Sequence, residues 1–525
     1  FPEGAAAFSF PVGVAGKYTP AEFVFASNSN SNASVTVNPV DYPHPLSALP
    51  DGDELEYYWR VGSEGFSGSY SVTHSYTYPQ NAVNGDESAY VTGRFLSGMW
   101  IPEGGIDESS VNPLTQQITL SGRDFIDGEY TAGNPLNFSN KPVLYSIKSG
   151  NWYGDNTWST TSGGPSCNCD PDGNPVVINT EHTVILNSNS AFAYSVTING
   201  TLDIGTTLYH NLGVIGGSGL LKVTSTTNGI FVMPGGDYDD FLSDQASTIE
   251  LFGNNQAVLP SKPGNIYKPF RNLVLSGTGK KMIPADDLKV LGNLTIGDIS
   301  TVLSNELSNR RLYVSGNWTD NNTSATGGFI PARGQVIFDG TANQLLTIVN
   351  GSTTIQFYDF IAANATGITL SGAGKANISG RLTLENGIIT SNSVNMLSVS
   401  NTAENAVSGG NAASFVSGPL QKSMLAGGDF MFPTGDASGS RYGRLYLTGV
   451  TAAGSYTAWY HNNNPLADGY DPENKTAPVD VVSDSEYWTV NGPVSSEGDV
   501  TLRWDESSAI IPADALTRNK LRVVE

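Results

Sequence analysis

Cysteine is almost absent from this chain: Cys167 and Cys169 are the only two in 525 residues. A disulfide framework therefore does not hold the fold together, because a bridge across so short a span constrains little of the unfolded chain. Histidine is nearly as scarce, at five (His44, His74, His182, His210, His461), and none sits in a nucleophile or metal motif. No apolar run approaches the roughly 20 residues of a membrane-spanning helix, and no helical periodicity runs beyond about two turns. Basic charge is short as well: 26 Lys and Arg face 49 Asp and Glu, for a net charge of −23. Phosphate backbones and anionic lipid would be repelled, so neither nucleic acid nor membrane insertion is expected. Gly-x-Ser-x-Gly and phosphate-binding loops are missing too, which leaves no familiar enzyme signature and favours a non-catalytic chain.

What the chain does have is punctuation. Gly (59) and Pro (28), with many Ser, Thr and Asn, separate short stretches rich in Val, Ile, Leu, Tyr and Phe. That is the composition of an all-β protein. One pattern recurs: apolar residues at 288, 290, 294 and 296 surround Gly292. It returns around Gly200, Gly316 and Gly380. Alternation of period two predicts a strand with one buried face, and a glycine inside it predicts a mid-strand bend. A single such coil cannot bury its apolar face, so its repetition predicts a parallel β-helix, or solenoid, of stacked coils over 144–420.

Two further repeats organise the chain. Ile249–Gln256 resembles Val336–Gln344, a period of roughly 87 residues that suits three or four coils of 20 to 30 residues each. At larger scale, Phe430-Met-Phe-Pro-Thr-Gly435 repeats Phe8-Ser-Phe-Pro-Val-Gly13, with Tyr442 following as Tyr18 does. Tyr487-Trp-Thr-Val490 likewise repeats Tyr58-Trp-Arg-Val61. These stretches predict a β-sandwich module over 1–137, a linker over 138–143, the solenoid over 144–420, and a truncated second sandwich over 421–525. Phe1 opens the chain abruptly and 522–525 ends it inside a strand-like pattern, so the expectation is a segment of a longer tandem array.

Ser149–Trp158, Gly163–Cys169, Gly236–Phe241 and Phe415–Leu420, together with the Phe-Pro-Thr-Gly stretch, resemble the giant repetitive cell-surface adhesins of Bacteroidota. The resemblance covers nearly the whole chain. It implies an extracellular, outer-membrane-attached stalk or filament of gliding or attachment type, exported by the type IX secretion system. Its implied partners are neighbouring modules of the same chain, further copies in a surface appendage, and cell-surface glycans or abiotic surfaces. A carbohydrate-active or glycan-binding β-helix of polysaccharide-lyase type is the alternative.

Four features carry candidate chemistry. Asp170, Asp172, Asn174 and Glu181 fall at relative positions 1, 3, 5 and 12, the ligand spacing of a calcium loop. Pro175 occupies the sixth position, where such loops need glycine, so a structural Ca²⁺ competes with a plain acidic turn. Cys167 and Cys169 can reach disulfide distance. Trp152 and Trp158 are either glycan-stacking platforms or a plug for the end of the solenoid core. Asp237, Asp239 and Asp240 form an acidic loop without a basic partner of its own, for which a neighbouring coil would have to supply Arg310 or Arg311.

Overall fold

A computed structural model describes residues 1–14, 16–46, 54–101, 109–133, 135–138, 141–224, 233–258, 269–284, 286–307, 309–439, 441–479, 481–504, 508 and 523. Parts of the expected 138–143 linker and of the 522–525 end lie outside these residues. The chain is all-β, with 4% helix and 46% strand, and combines a parallel β-solenoid of about nine turns with antiparallel sheets. It divides into two compact units, the first holding Phe1–Gly219 with Pro234–Phe241 and the second most of the chain from Leu220 onward.

The first unit opens with two antiparallel sheets. In one, Ala21–Asn28 pairs with Ala6–Phe10 on one side and Tyr70–Thr77 on the other, and Gln117–Arg123 continues the order. In the other, Gly128–Gly133 joins Val91–Leu96 to Tyr58–Glu64, which pairs in turn with Ser34–Val40. Alternate residues of each sheet point inward, as in Ala21, Phe23 and Phe25, and meet Trp59, Val61 and Tyr130 from the facing sheet in one buried cluster. The Trp59 indole is fully buried and donates to the Thr19 carbonyl at 3.1 Å, so its N–H is satisfied. The same unit then turns to parallel pairing. Pro175–Ile178, Ser195–Ile198 and Asn211–Gly216 stack in register, with Val176, Val196 and Ile215 aligned and buried.

The second unit is mainly parallel coils with three sheet faces. Asn272–Leu275, Leu294–Ile296 and Trp318–Asp320 follow one another on one face. Leu288–Val290, Arg311–Val314 and Gln335–Phe338 do so on the next, and Thr354–Phe357, Lys375–Ile378 and Leu397–Val399 on a third. The glycine-centred pattern is therefore not one bent strand but two short strands around a corner. Gly292 and Gly316 stand at the same corner of successive coils. A Cβ on Gly316 would lie 2.4 Å from the Gly292 carbonyl group of the coil before, which no side chain can do. Gly200 makes such a corner in the first unit, and Gly380 makes one between Lys375–Ile378 and Leu382–Asn386.

Asparagines at the corner of Gly292 and Gly316 tie coil to coil. Asn272 Oδ1 accepts from Asn293 N, Asn293 Oδ1 from Asn317 N, and Asn317 Oδ1 from Leu345 N, at 2.8–2.9 Å and across 21, 24 and 28 positions. Each amide satisfies a backbone donor that the corner would leave without a strand partner.

Antiparallel pairing returns in the second unit, and it is joined directly to the last coil. Leu420–Met424 lies parallel to Leu397–Val399 on one edge and antiparallel to Gly454–His461 on the other. The returning block pairs as the opening block does. Phe8 faces Phe23 and Phe10 faces Ala21, as Phe430 faces Leu447 and Phe432 faces Leu445. Val14 faces Lys17, as Asp436 faces Arg441. Pro39 faces Trp59, as Tyr460 faces Trp488. Ala21 faces Tyr76, as Leu445 faces Leu502. Trp488 Nε1 donates to the Gly443 carbonyl at 2.8 Å, the residue after Tyr442, just as Trp59 uses the residue after Tyr18. The burial differs: Trp488 is half-buried where Trp59 is fully buried.

Candidate functional site

The four calcium-spaced residues do not converge. Asp170 Oδ1 accepts from Gly154 N at 3.0 Å, while Asp172 pairs with Lys141 Nζ at 3.4 Å. Asn174 turns inward, where its amide donates to the Pro142 carbonyl at 2.9 Å. Glu181 sits past the far end of the Pro175–Ile178 strand, and four extended residues span roughly 13 Å. Calcium ligands must all come within about 2.6 Å of one point. Among the described residues, no three His, Cys, Asp or Glu side chains are grouped to hold a metal ion. Pro175 begins a strand at the place where a calcium loop would fold back, so the spacing does not bring these side chains together.

Cys167 and Cys169 form a disulfide with Cα atoms 5.1 Å apart. Cys167 N also donates to the Trp158 carbonyl at 3.0 Å, so the bridged turn is laid along the tryptophan strand. Trp152 and Trp158 are both fully buried. Their rings meet edge to face at 5.4 Å, and Trp158 Nε1 donates to the Trp152 carbonyl at 2.8 Å. The expectation of a sugar-stacking platform at Trp152 and Trp158 is thus corrected: neither ring face is available without opening the core. Sequence cannot separate the two roles, because both place a large aromatic next to glycine and asparagine.

In the acidic loop, the aromatic residues rather than the acids are fixed. Tyr238 is buried and donates to the Pro234 carbonyl at 2.7 Å, and Phe241 is buried beside it in sequence. Asp239 and Asp240 head a short helix, Asp239–Ser243, and are exposed. The Asp237 side chain lies outside what is described. Arg310 and Arg311 belong to a different constellation. With Arg333, Asp287, Asn309 and Gln335 they line an open pocket of about 360 Å³. Asp287 Oδ1 accepts from Arg311 N at 3.0 Å, Asn309 Oδ1 from Arg333 N at 2.8 Å, and Gln335 Oε1 from Arg311 Nε at 3.2 Å. Coil stacking has gathered three exposed arginines in a chain of net charge −23. Such a patch suits carboxylate or sulfate groups, which planar guanidinium groups bind by paired hydrogen bonds.

A second polar cluster joins residues far apart in sequence. His44, fully enclosed, meets Glu129 Oε2 at 2.9 Å, and Arg60 Nε stands 3.3 Å from Glu129 Oε1. Tyr194 stacks on His44 with ring centres 5.3 Å apart, and its hydroxyl is hydrogen-bonded to the same carboxylate. Burial pushes the His44 pKa down, and burial pushes the Tyr194 pKa up. A neutral imidazole and phenol thus surround a carboxylate that Arg60 balances. This is how a buried charge is kept satisfied. The cluster ties the antiparallel sheets of the first unit to the coil carrying Tyr194. Nothing in sequence joins positions 44, 60, 129 and 194, so it was invisible there.

Lys281 is buried among backbone carbonyls, with Nζ donating to Gly253 and Thr278, and burial lowers its pKa to about 8. Lys422 donates to the Asn401 and Ser423 carbonyls at 2.5 and 2.6 Å, and burial lowers its pKa to about 8 as well. Both saturate backbone carbonyls at coil turns. No family model matches the chain, and neither a curated protein nor a solved structure matches it.

Proposed function

We propose that this chain is a structural and adhesive repeat module of a giant secreted cell-surface protein, forming a rigid stalk or filament that attaches to surfaces or other cells. The observation that carries the reading is the recurrence of the same antiparallel strand pairings, in the same register, at the two ends of a run of stacked parallel coils. Coils that cover one another resist bending, and repeated modules turn many weak contacts into avidity. The Cys167–Cys169 disulfide agrees with an oxidising, extracellular setting. Neighbouring modules and further copies are the partners this reading implies, with glycans or abiotic surfaces as the target. Beads coated with the chain should stay on cells or polymer surfaces under flow when bare beads wash off. Equal loss of both kinds would sink the adhesive part of the reading.

A glycan-active solenoid is the second reading, and the Arg310, Arg311 and Arg333 patch is what favours it. Incubation with pectic, alginate and sulfated polymers separates the two. Binding without chain cleavage makes the patch an adhesive contact for acidic glycans. New reducing or unsaturated ends would make the chain an enzyme and overturn the first reading.

A further inference from the structure

The Ser34–Val40 strand is the counterpart of Gly454–His461, since each pairs antiparallel with its tryptophan strand in the same register. Pro39 thus corresponds to Tyr460, Val37 to Ala458, Thr36 to Thr457, Val35 to Tyr456 and Ser34 to Ser455. The two strands differ on their other edge. Gly454–His461 receives Leu420–Met424 there, with Leu420 opposite Ala458, Gln421 opposite Thr457 and Ser423 opposite Ser455. Among the described residues, Ser34–Val40 pairs with Tyr58–Glu64 alone.

Burial differs in the same sense. Tyr456 and Ala458, in the strand that receives Leu420–Met424, are buried, whereas Val35 and Val37 are only partly buried. Phe430 and Phe432 are 5% and 0% exposed, whereas Phe8 is 52% exposed and Phe10 partly so. An open edge strand is normally blunted by charge or a bulge, because its free N–H and C=O groups template further pairing. Ser34–Val40 carries no charge, and its Pro39 falls beyond the stretch that the added strand covers in the counterpart. One polar position is shared. Gln421 Nε2 donates to Thr457 Oγ1 at 3.3 Å, and the corresponding residue of the open strand is also a threonine, Thr36.

We infer that the free edge of Ser34–Val40 is a docking edge for a solenoid-terminal strand of the Leu420–Met424 type, added antiparallel with its Leu420 position opposite Val37. The inference rests on the repeat-module reading and names the contact by which one module receives the last coil of another. Backbone hydrogen bonds supply the affinity, and the Leu420 position opposite Val37, with the Lys422 position opposite Val35, sets the register.

The test uses the full chain and a synthetic peptide spanning residues 416–425. Ser34 and Thr36 are exposed, so Ser34→Cys and Thr36→Cys leave the core untouched, and both native cysteines are already bridged. The Ser34→Cys chain should form a disulfide with the Ser423→Cys peptide, and the Thr36→Cys chain with the Gln421→Cys peptide. Crossed combinations should couple at least tenfold more slowly, and Leu420→Asp in the peptide should abolish coupling. The unsubstituted peptide should slow amide exchange in 34–40. Coupling without register preference, or no coupling together with unchanged exchange, overturns the inference. The bead assay does not read this edge, so the attachment reading and the docking inference can fail separately.

Discussion

Gln344 and Gln256 brace two turns in the same way, each from a buried position. Gln344 Oε1 accepts from Gly340 N at 3.0 Å while Nε2 reaches the Val314 and Gly316 carbonyls of the preceding coil. Gln256 Oε1 accepts from Gly253 N at 2.9 Å while Nε2 reaches the Val223 and Thr224 carbonyls. Removing one amide would strand a buried donor and two acceptors, at about 1–3 kcal/mol for each unsatisfied group. Gln344→Leu should therefore lower unfolding stability by about 3 kcal/mol in urea titration. A loss below about 0.5 kcal/mol, the range of plain surface changes, would refute the bracing role.

Acid should loosen the opening antiparallel sheets through His74. Burial, and then the nearby Arg94 and Arg123 charges, lower its pKa from 6.5 to about 3. Between those values the unfolded chain binds the proton that the folded chain refuses, so stability falls as pH drops from 6.5 towards 3. His74→Phe, which preserves the stack on Phe23, should flatten part of that fall. Superimposable stability–pH curves for the two proteins would refute this assignment.

Alkali should act oppositely on the second unit. Lys281 and Lys422 titrate near 8 when folded and near 10.5 when unfolded. The unfolded chain binds more protons in that window, so stability rises from pH 8 upward. Above pH 10 the partly buried phenols of Tyr442 and Tyr487, held above their usual pKa, oppose the rise. Urea midpoints at pH 8, 9 and 10 should increase, and Lys281→Met with Lys422→Met should remove the trend. A flat or falling midpoint in the unaltered chain contradicts it.

Chelator should leave the melting temperature unchanged, because Asp170, Asp172, Asn174 and Glu181 are engaged with separate partners or set apart by a strand. A drop on chelation, restored by Ca²⁺ and abolished in Asp172→Ala, would reinstate the calcium loop.

Trp158→Ala should destabilise the chain by about 3–5 kcal/mol, the range for emptying a buried aromatic site. Trp158→Phe should retain glycans on a column as the unaltered chain does, since the ring is a core element. Selective loss of retention by a folded Trp158→Phe protein would restore the stacking role.

The solenoid was legible because its buried positions recur with period two and its coils repeat. Its corners were not. Leu288, Val290, Leu294 and Ile296 are all buried, and the three residues of the corner preserve their parity. A period-two count passes through the turn without noticing it. Equivalence of the tryptophan strands was readable from the shared Tyr-Trp and Phe-Pro-x-Gly stretches, since a register is carried by a handful of large residues. Which tryptophans face solvent was not readable, and neither was the gathering of Arg310, Arg311 and Arg333. Both depend on what an adjacent coil brings, and sequence separation hides that.

The asparagine ladder has a consequence for how such a chain comes to be folded. Its links reach only 21 to 28 positions along the chain, although the sheet they stabilise runs through many strands. Loop closure over so short a span adds little entropic penalty per coil. Each finished coil is then a template on which the next can settle, without waiting for distant residues. A nascent segment thus acquires structure in the order in which it emerges. Most large β proteins lack that route, because their pairing partners lie far apart in sequence.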